Sequence, residues 1–273
     1  MNLLEMGFWN LLQRPVLDRI FYVPFWECPF LCEFCCVDSL PGKPPVRVDA
    51  GESVLFSLVD ALNKVSRKPI EVHLYGGEPL LKSDYILEFS KKLNSQKNVK
   101  KLVLYSTLRV GNIDSILNIL PKKKLEIIVN PTTVTPSVEE KMKHLRGIAK
   151  AYKNVTIFPT GRGRIDSASY QKSLLEKIVP PTFPGRSCFA TISGILVNTP
   201  HRTLHLCCLP QSPVIGDFES NPDAIVSKYV SELQNFHKKV EEERKNFNFS
   251  HACSVCEEHS QWKTDKKSTY AIP

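Results

Sequence analysis

A chain of 273 residues with net charge +8, 42% hydrophobic and 23% charged residues can bury a sizeable core and is too balanced to be disordered or fibrous. Nine cysteines, an odd number gathered towards the two ends, argue against a disulfide framework and for metal binding or catalysis. The basic excess lies on helical faces such as "KSDYILEFSKKLNSQKNVKK" and "FHKKVEEERK", without the aromatic-interleaved stripe that tracks a nucleic acid backbone, so it argues against a nucleic acid partner.

Residues 1–17 are predicted to form a short amphipathic extension. Leu3, Leu4, Met6, Phe8 and Trp9 are interrupted by Glu5, and the run has neither a basic leader nor a cleavage site. It is also shorter than the roughly 20 apolar residues a membrane span requires. The expected compartment is the reducing cytoplasm, where thiols persist to bind metal.

From residue 18 to 183 β-branched runs alternate with helix-period segments. "RIFYV" precedes "SVLFSLVDALNKV", in which Val54, Leu55, Leu58, Val59, Leu62 and Val65 share a helical face. "EVHLY" leads to "SDYILEFSKKL", "KLVLYS" to "NIDSILNIL", "LEIIV" to "PSVEEKMKHLRGIAKAY" and "VTIF" to "SYQKSLLEKI". Such alternation predicts parallel βα units. Five units fall short of a complete eight-unit barrel, so the expected fold class is α/β, an open partial βα barrel with its chemistry at the carboxyl ends of the strands. Unusual residues follow each strand: the first cysteines, then "GGEP", then Ser106 and Thr107, then Asn130, Pro131 and Thr132, and finally "PTGRGR" with Arg162 and Arg164.

The prolines of "PPTFPGRSC" end the alternation and predict a domain boundary near residue 183. Residues 184–273 are expected to form a small cysteine-rich domain. Its hairpin would come from "FATISGILVN" and "RTLHLCC", followed by a helix with Ile225, Val226, Tyr229, Val230, Leu233 and Phe236 inward, and then "HACSVCEEH".

Cys28, Cys32 and Cys35 form C-x3-C-x2-C, a spacing that suits iron–sulfur ligation, with zinc as the alternative. Cys36, adjacent to the third, points to packing. With Phe34 ahead of Cys35 and "YGGEP" one βα unit later, this pattern resembles the radical S-adenosylmethionine (radical SAM) family over most of the chain. The resemblance implies that Cys28, Cys32 and Cys35 hold a 4Fe-4S cluster with one iron open to S-adenosylmethionine. Reductive cleavage of the sulfonium would then yield a 5'-deoxyadenosyl radical that abstracts hydrogen from substrate. It further implies cofactor-binding roles for Phe34, Gly76, Gly77, Glu78, Pro79, Ser106, Thr107, Asn130 and Arg162, and an electron donor such as flavodoxin or ferredoxin.

The downstream cysteines resemble the family's shortened auxiliary-cluster domain, called twitch, a trimmed SPASM extension. Cys188, Cys207, Cys253 and Cys256 would hold a second 4Fe-4S cluster, with Cys208 as an alternate to Cys207 and a structural zinc as the other possibility. The histidines nearby, His201, His205, His251 and His259, are expected around the metal and not on it. The reading is an oxidoreductase acting on a small molecule or short peptide by dehydrogenation, epimerisation or crosslinking. Maturation of a ribosomally made peptide or a protein is the alternative within the class, and a non-enzymatic zinc module binding nucleic acid is the alternative outside it.

Overall fold

The computed structural model describes residues 17–30, 35, 48–66, 68–111, 113–120, 123–129, 136–148, 150–153, 194–246 and 255–256. Four strands fall on the β-branched runs: β1 (Arg19–Val23), β2 (Ile70–Leu74), β3 (Val99–Ser106) and β4 (Leu125–Val129). The helices between them are α1 (Val48–Ser66), α2 (Ser83–Ser95) and the single turn α3 (Asp114–Leu117), with α4 (Pro136–Ile148) after β4.

The fifth strand departs from expectation. β5 is Lys150–Lys153, part of the segment expected to continue the preceding helix. The run "VTIF", expected as that strand, lies outside the described residues. Pairing with β4, which sets Glu126 against Lys150 and Ile128 against Tyr152, decides the position.

The C-terminal hairpin is β6 (Ile195–Asn198) and β7 (Thr203–His205), followed by β8 (Val214–Asp217) and the long helix α5 (Pro222–Asn246). Instead of starting a sheet of its own, β6 pairs parallel with β1, setting Ile20 against Ile195 and Val23 against Asn198. One eight-stranded sheet results, in the order β5-β4-β3-β2-β1-β6-β7-β8. It is parallel from β5 to β6 and antiparallel beyond, and β5 and β8 stand at its two ends. This is an open, partial βα barrel.

Strand alternation divides the sheet into two faces. Ile20, Tyr22, Val72, Leu74, Leu102 and Leu104 turn outward into one core with Leu55, Leu58 and Leu62 of α1, Phe89 of α2 and Tyr229 and Leu233 of α5. The inward helical face expected for α5 is observed, whereas Val65 of α1 is half exposed, at 50%, just past the core-facing stripe. The opposite face carries Arg19 and Phe21 of β1, Glu71 and His73 of β2, Lys101 and Tyr105 of β3, and Glu126 of β4. Among the described residues, no helix is long and apolar enough to cross a membrane.

Candidate active site

After β1 the chain runs through Pro24 to Cys28 as an extended arm, and the glycine pair after β2 locks onto it backbone to backbone. The Gly77 N–H donates to the Phe25 carbonyl at 3.0 Å, and the Glu78 N–H to the Glu27 carbonyl at 3.0 Å. A Cβ on Gly77 would lie 1.9 Å from the Glu27 carbonyl oxygen, and Gly76, at φ +131°, has the Phe25 carbonyl 2.8 Å from where its Cβ would be. No side chain fits between these strand tips, which is why glycine occupies both positions. Lys82 closes the outer side, with its Nζ 2.7 Å from the Glu27 carboxylate and over the Phe25 ring.

Glu78 is 2% exposed, and its carboxylate is occupied. It accepts from the Ser106 hydroxyl at 2.7 Å, the Thr107 N–H at 2.8 Å, the Thr107 hydroxyl at 2.7 Å and the Leu80 N–H at 3.1 Å. The last bond caps the 3-10 turn Pro79–Lys82, which Pro79 initiates. Glu78 therefore clasps the tips of β2 and β3, and the hydroxyls of Ser106 and Thr107 face Glu78. The tips of β1, β2 and β3 become one rigid ledge at the carboxyl end of the sheet.

Cys28 follows the clamped arm directly, and it and Cys35 are both half-buried. A soft sulfur donor directly after the clamped arm fits an iron–sulfur cluster. Cys32, Phe34 and Cys36 lie outside the described residues, as do Asn130, Arg162, Arg164, Cys188, Cys253, His251 and His259.

Below the ledge the concave face is layered. At the amino end Lys101 bridges Glu126 at 2.6 Å and Glu71 at 3.4 Å. Burial would raise the Glu71 carboxyl, but His73, Lys100 and Lys101 outweigh it and hold it below the ordinary carboxylate range. Above lies an aromatic layer, in which Phe21 and His73 have ring centroids 4.8 Å apart and the His73 Nδ1 is 3.1 Å from the Tyr105 hydroxyl. Burial lowers the His73 pKa to about 4, so its imidazole is neutral at neutral pH. Sequence reading singled out none of these residues, although the alternation of charged or polar residues with apolar ones in "EVHLY" marks a strand with two differently used faces.

Residues 19–151, from the start of β1 into β5, match the family model described as a 4Fe-4S single cluster domain. That model covers the cysteine arm, the glycine clamp and the Glu78 clasp. The match takes in just under half of the chain and makes this part of it similar to a 4Fe-4S cluster domain. An iron–sulfur cluster is therefore the metal centre that this part of the chain resembles, which weighs against the zinc reading. No curated protein matches the chain. Among solved structures, BtrN in complex with AdoMet and 2-DOIA is similar at 12% identity and a TM-score of 0.49, over 84% of this chain and 89% of that one. Selenomethionine BtrN in an open conformation is similar at 12% identity and a TM-score of 0.48, over 80% and 85%. Likeness of that extent assigns neither substrate nor reaction to this chain.

The downstream cysteines are partly in view. Cys207 and Cys208 are buried just past β7, their sulfurs 3.8 Å apart, in an apolar cluster with Phe21, Val23, Trp26, Leu196 and Leu209. The Cys208 thiol holds the Cys207 thiol below its ordinary pKa, against burial that pushes it up. Ser212 fixes the turn, accepting from the Cys207 N–H at 3.2 Å and donating to the Leu209 carbonyl at 2.7 Å. Tyr75, directly ahead of the glycine pair, donates its hydroxyl to the Cys208 carbonyl. Cys256 sits in a separate small cluster with Val240 and Val255 against Phe236. Among the described residues no three metal-binding side chains converge. His205 bonds through Nδ1 to the Ser212 carbonyl at 2.9 Å and through Nε2 to the Thr203 hydroxyl at 2.9 Å, and His201 packs near the Trp26 ring.

Proposed function

We propose that the chain is a radical SAM oxidoreductase that removes hydrogen from a small molecule or short peptide, with Cys28, Cys32 and Cys35 holding the cofactor cluster and Cys188, Cys207, Cys253 and Cys256 holding a second 4Fe-4S cluster. The observation that carries this reading is the contact between the two cysteine regions. Trp26, in the arm leading to Cys28, packs in one apolar cluster with Cys207 and Cys208, and Tyr75 bonds from the glycine clamp to Cys208. Metal at the second site would therefore border the same concave face.

When bound, the cluster and S-adenosylmethionine supply a 5'-deoxyadenosyl radical as the hydrogen-abstracting species. The chain's own residues prepare the place. The clamp of Gly77 on Phe25 and Glu78 on Glu27 fixes the first ligand at the mouth, and the Phe21, Trp26 and Leu196 wall keeps water from the β1–β6 side. Abstraction leaves an unpaired electron on the substrate, and a second metal centre on the same face is a suitable acceptor for it, which favours dehydrogenation. A reduced flavodoxin or ferredoxin would supply the first electron.

Anaerobic reconstitution tests the reading. The full chain should take up about eight irons and Cys256→Ala about four, with Cys256→Ala still cleaving S-adenosylmethionine. About four irons in the unaltered chain, or zinc in place of the second cluster, removes the auxiliary centre and with it the preference for dehydrogenation.

A further inference from the structure

We propose that Arg109 is a positioning residue for the cluster-binding loop, acting through Phe30. The inference rests on the assignment of Cys28, Cys32 and Cys35 to a 4Fe-4S cluster and adds a residue outside that motif. The Arg109 guanidinium lies over the Phe30 ring, 4.4 Å from its centroid. Phe30 stands two residues after Cys28, so whatever holds its ring holds the chain where it leaves the first cluster ligand. Arg109 is exposed, and burial therefore does not account for its placement.

The loop carrying Arg109 is built to present it. Leu108 adopts φ 56°, a left-handed conformation that a leucine takes only when its surroundings impose it. Two of the imposing contacts lead back to Glu78, beside burial of the Leu108 side chain in the core and the Lys141 Nζ donating to the Leu108 carbonyl at 3.0 Å. Ser106 donates its hydroxyl to that carboxylate and accepts from the Leu108 N–H at 3.0 Å, and the Thr107 hydroxyl does the same with the Arg109 N–H at 3.3 Å. Gly111 completes the loop at φ 71°, where a Cβ would lie 2.0 Å from the Leu80 carbonyl oxygen. The second-strand motif therefore grips the cysteine loop twice, before Cys28 through the glycine clamp and after it through Glu78, Thr107, Arg109 and Phe30. A ligand held on both of its flanks, as Cys28 is, keeps its place when the cofactor enters.

The test uses full-length chain reconstituted anaerobically as wild type, Arg109→Gln, Arg109→Lys, Phe30→Leu and the Gln/Leu double variant. The readout is the part of the reduced-cluster EPR signal that changes when S-adenosylmethionine is added, together with the thermal midpoint. Arg109→Gln and Phe30→Leu should each lose that signal several-fold at an unchanged midpoint, and Arg109→Lys should recover part of it. The double variant should be no worse than the single ones, because both remove one contact. A wild-type signal in Arg109→Gln, losses that multiply in the double variant, or a midpoint that falls in step with the signal overturns the proposal. Wild type without any cofactor-responsive signal overturns the cluster assignment itself.

Discussion

At the scale of single residues, the chemistry of the "GGEP" stretch is mostly architecture. Gly77 carries no side chain because the Glu27 carbonyl occupies the place one would take. Gly77→Ala is expected to part the β1 and β2 tips and to reduce iron retention at the first cluster several-fold, read by iron and sulfide content after reconstitution. Glu78→Gln would place an amide among donors that now all point at carboxylate oxygens. Leaving one of them unsatisfied should destabilise the chain by about 1–3 kcal/mol in urea unfolding. His73 gives a pH signature. Its folded pKa, about 4, lies below the unfolded value near 6.5, so the unfolded chain binds the extra proton in that window. Stability should therefore fall as pH drops from about 6.5 towards 4, and His73→Asn should flatten that part of the profile relative to wild type. A profile identical in the variant would mean that His73 is not held neutral. Resemblance placed Gly76, Gly77, Glu78, Ser106 and Thr107 in the site, but their partners lie some thirty to fifty residues away in the chain. Only the fold brings them together.

At the scale of elements, strand and helix periodicity was readable wherever an element buries one complete face. β1 to β4 coincide with their β-branched runs, and α5 turns Ile225, Tyr229 and Leu233 inward as its spacing requires. β5 was not readable for the converse reason. "KAYK" stands at one end of the sheet, where a lysine-rich strand is ordinary protection against edge pairing, and hydrogen bonding to β4 selects it. The parallel pairing of β6 with β1 was equally hidden, since a hairpin pattern reveals its own turn but not the edge it joins. Removing core volume separates the two kinds of position. Leu233→Ala, which hollows the contact of α5 with the sheet, should cost about 2–5 kcal/mol, whereas Val65→Thr on half-exposed α1 surface should stay within about 0.5 kcal/mol, both by chemical denaturation.

At the scale of the whole molecule, the residues after 193 are part of the barrel. β6 covers the edge of β1, α5 packs against α1, and Cys207 and Cys208 line the concave face beside Trp26. A chain ending at residue 183 should therefore be poorly soluble and lack a cooperative melting transition, because it exposes the edge of β1 and the outer core beneath α5. A monomeric fragment with a sharp transition would show that the barrel folds without its C-terminal third. The account as a whole stands on the cysteine arm at the mouth of the sheet binding a cluster that cleaves S-adenosylmethionine. Anaerobically reconstituted, reduced chain incubated with S-adenosylmethionine should release 5'-deoxyadenosine, and Cys28→Ala, Cys32→Ala and Cys35→Ala should each abolish it. Release that survives those substitutions, or a brown, iron-loaded wild type that releases none, would contradict it.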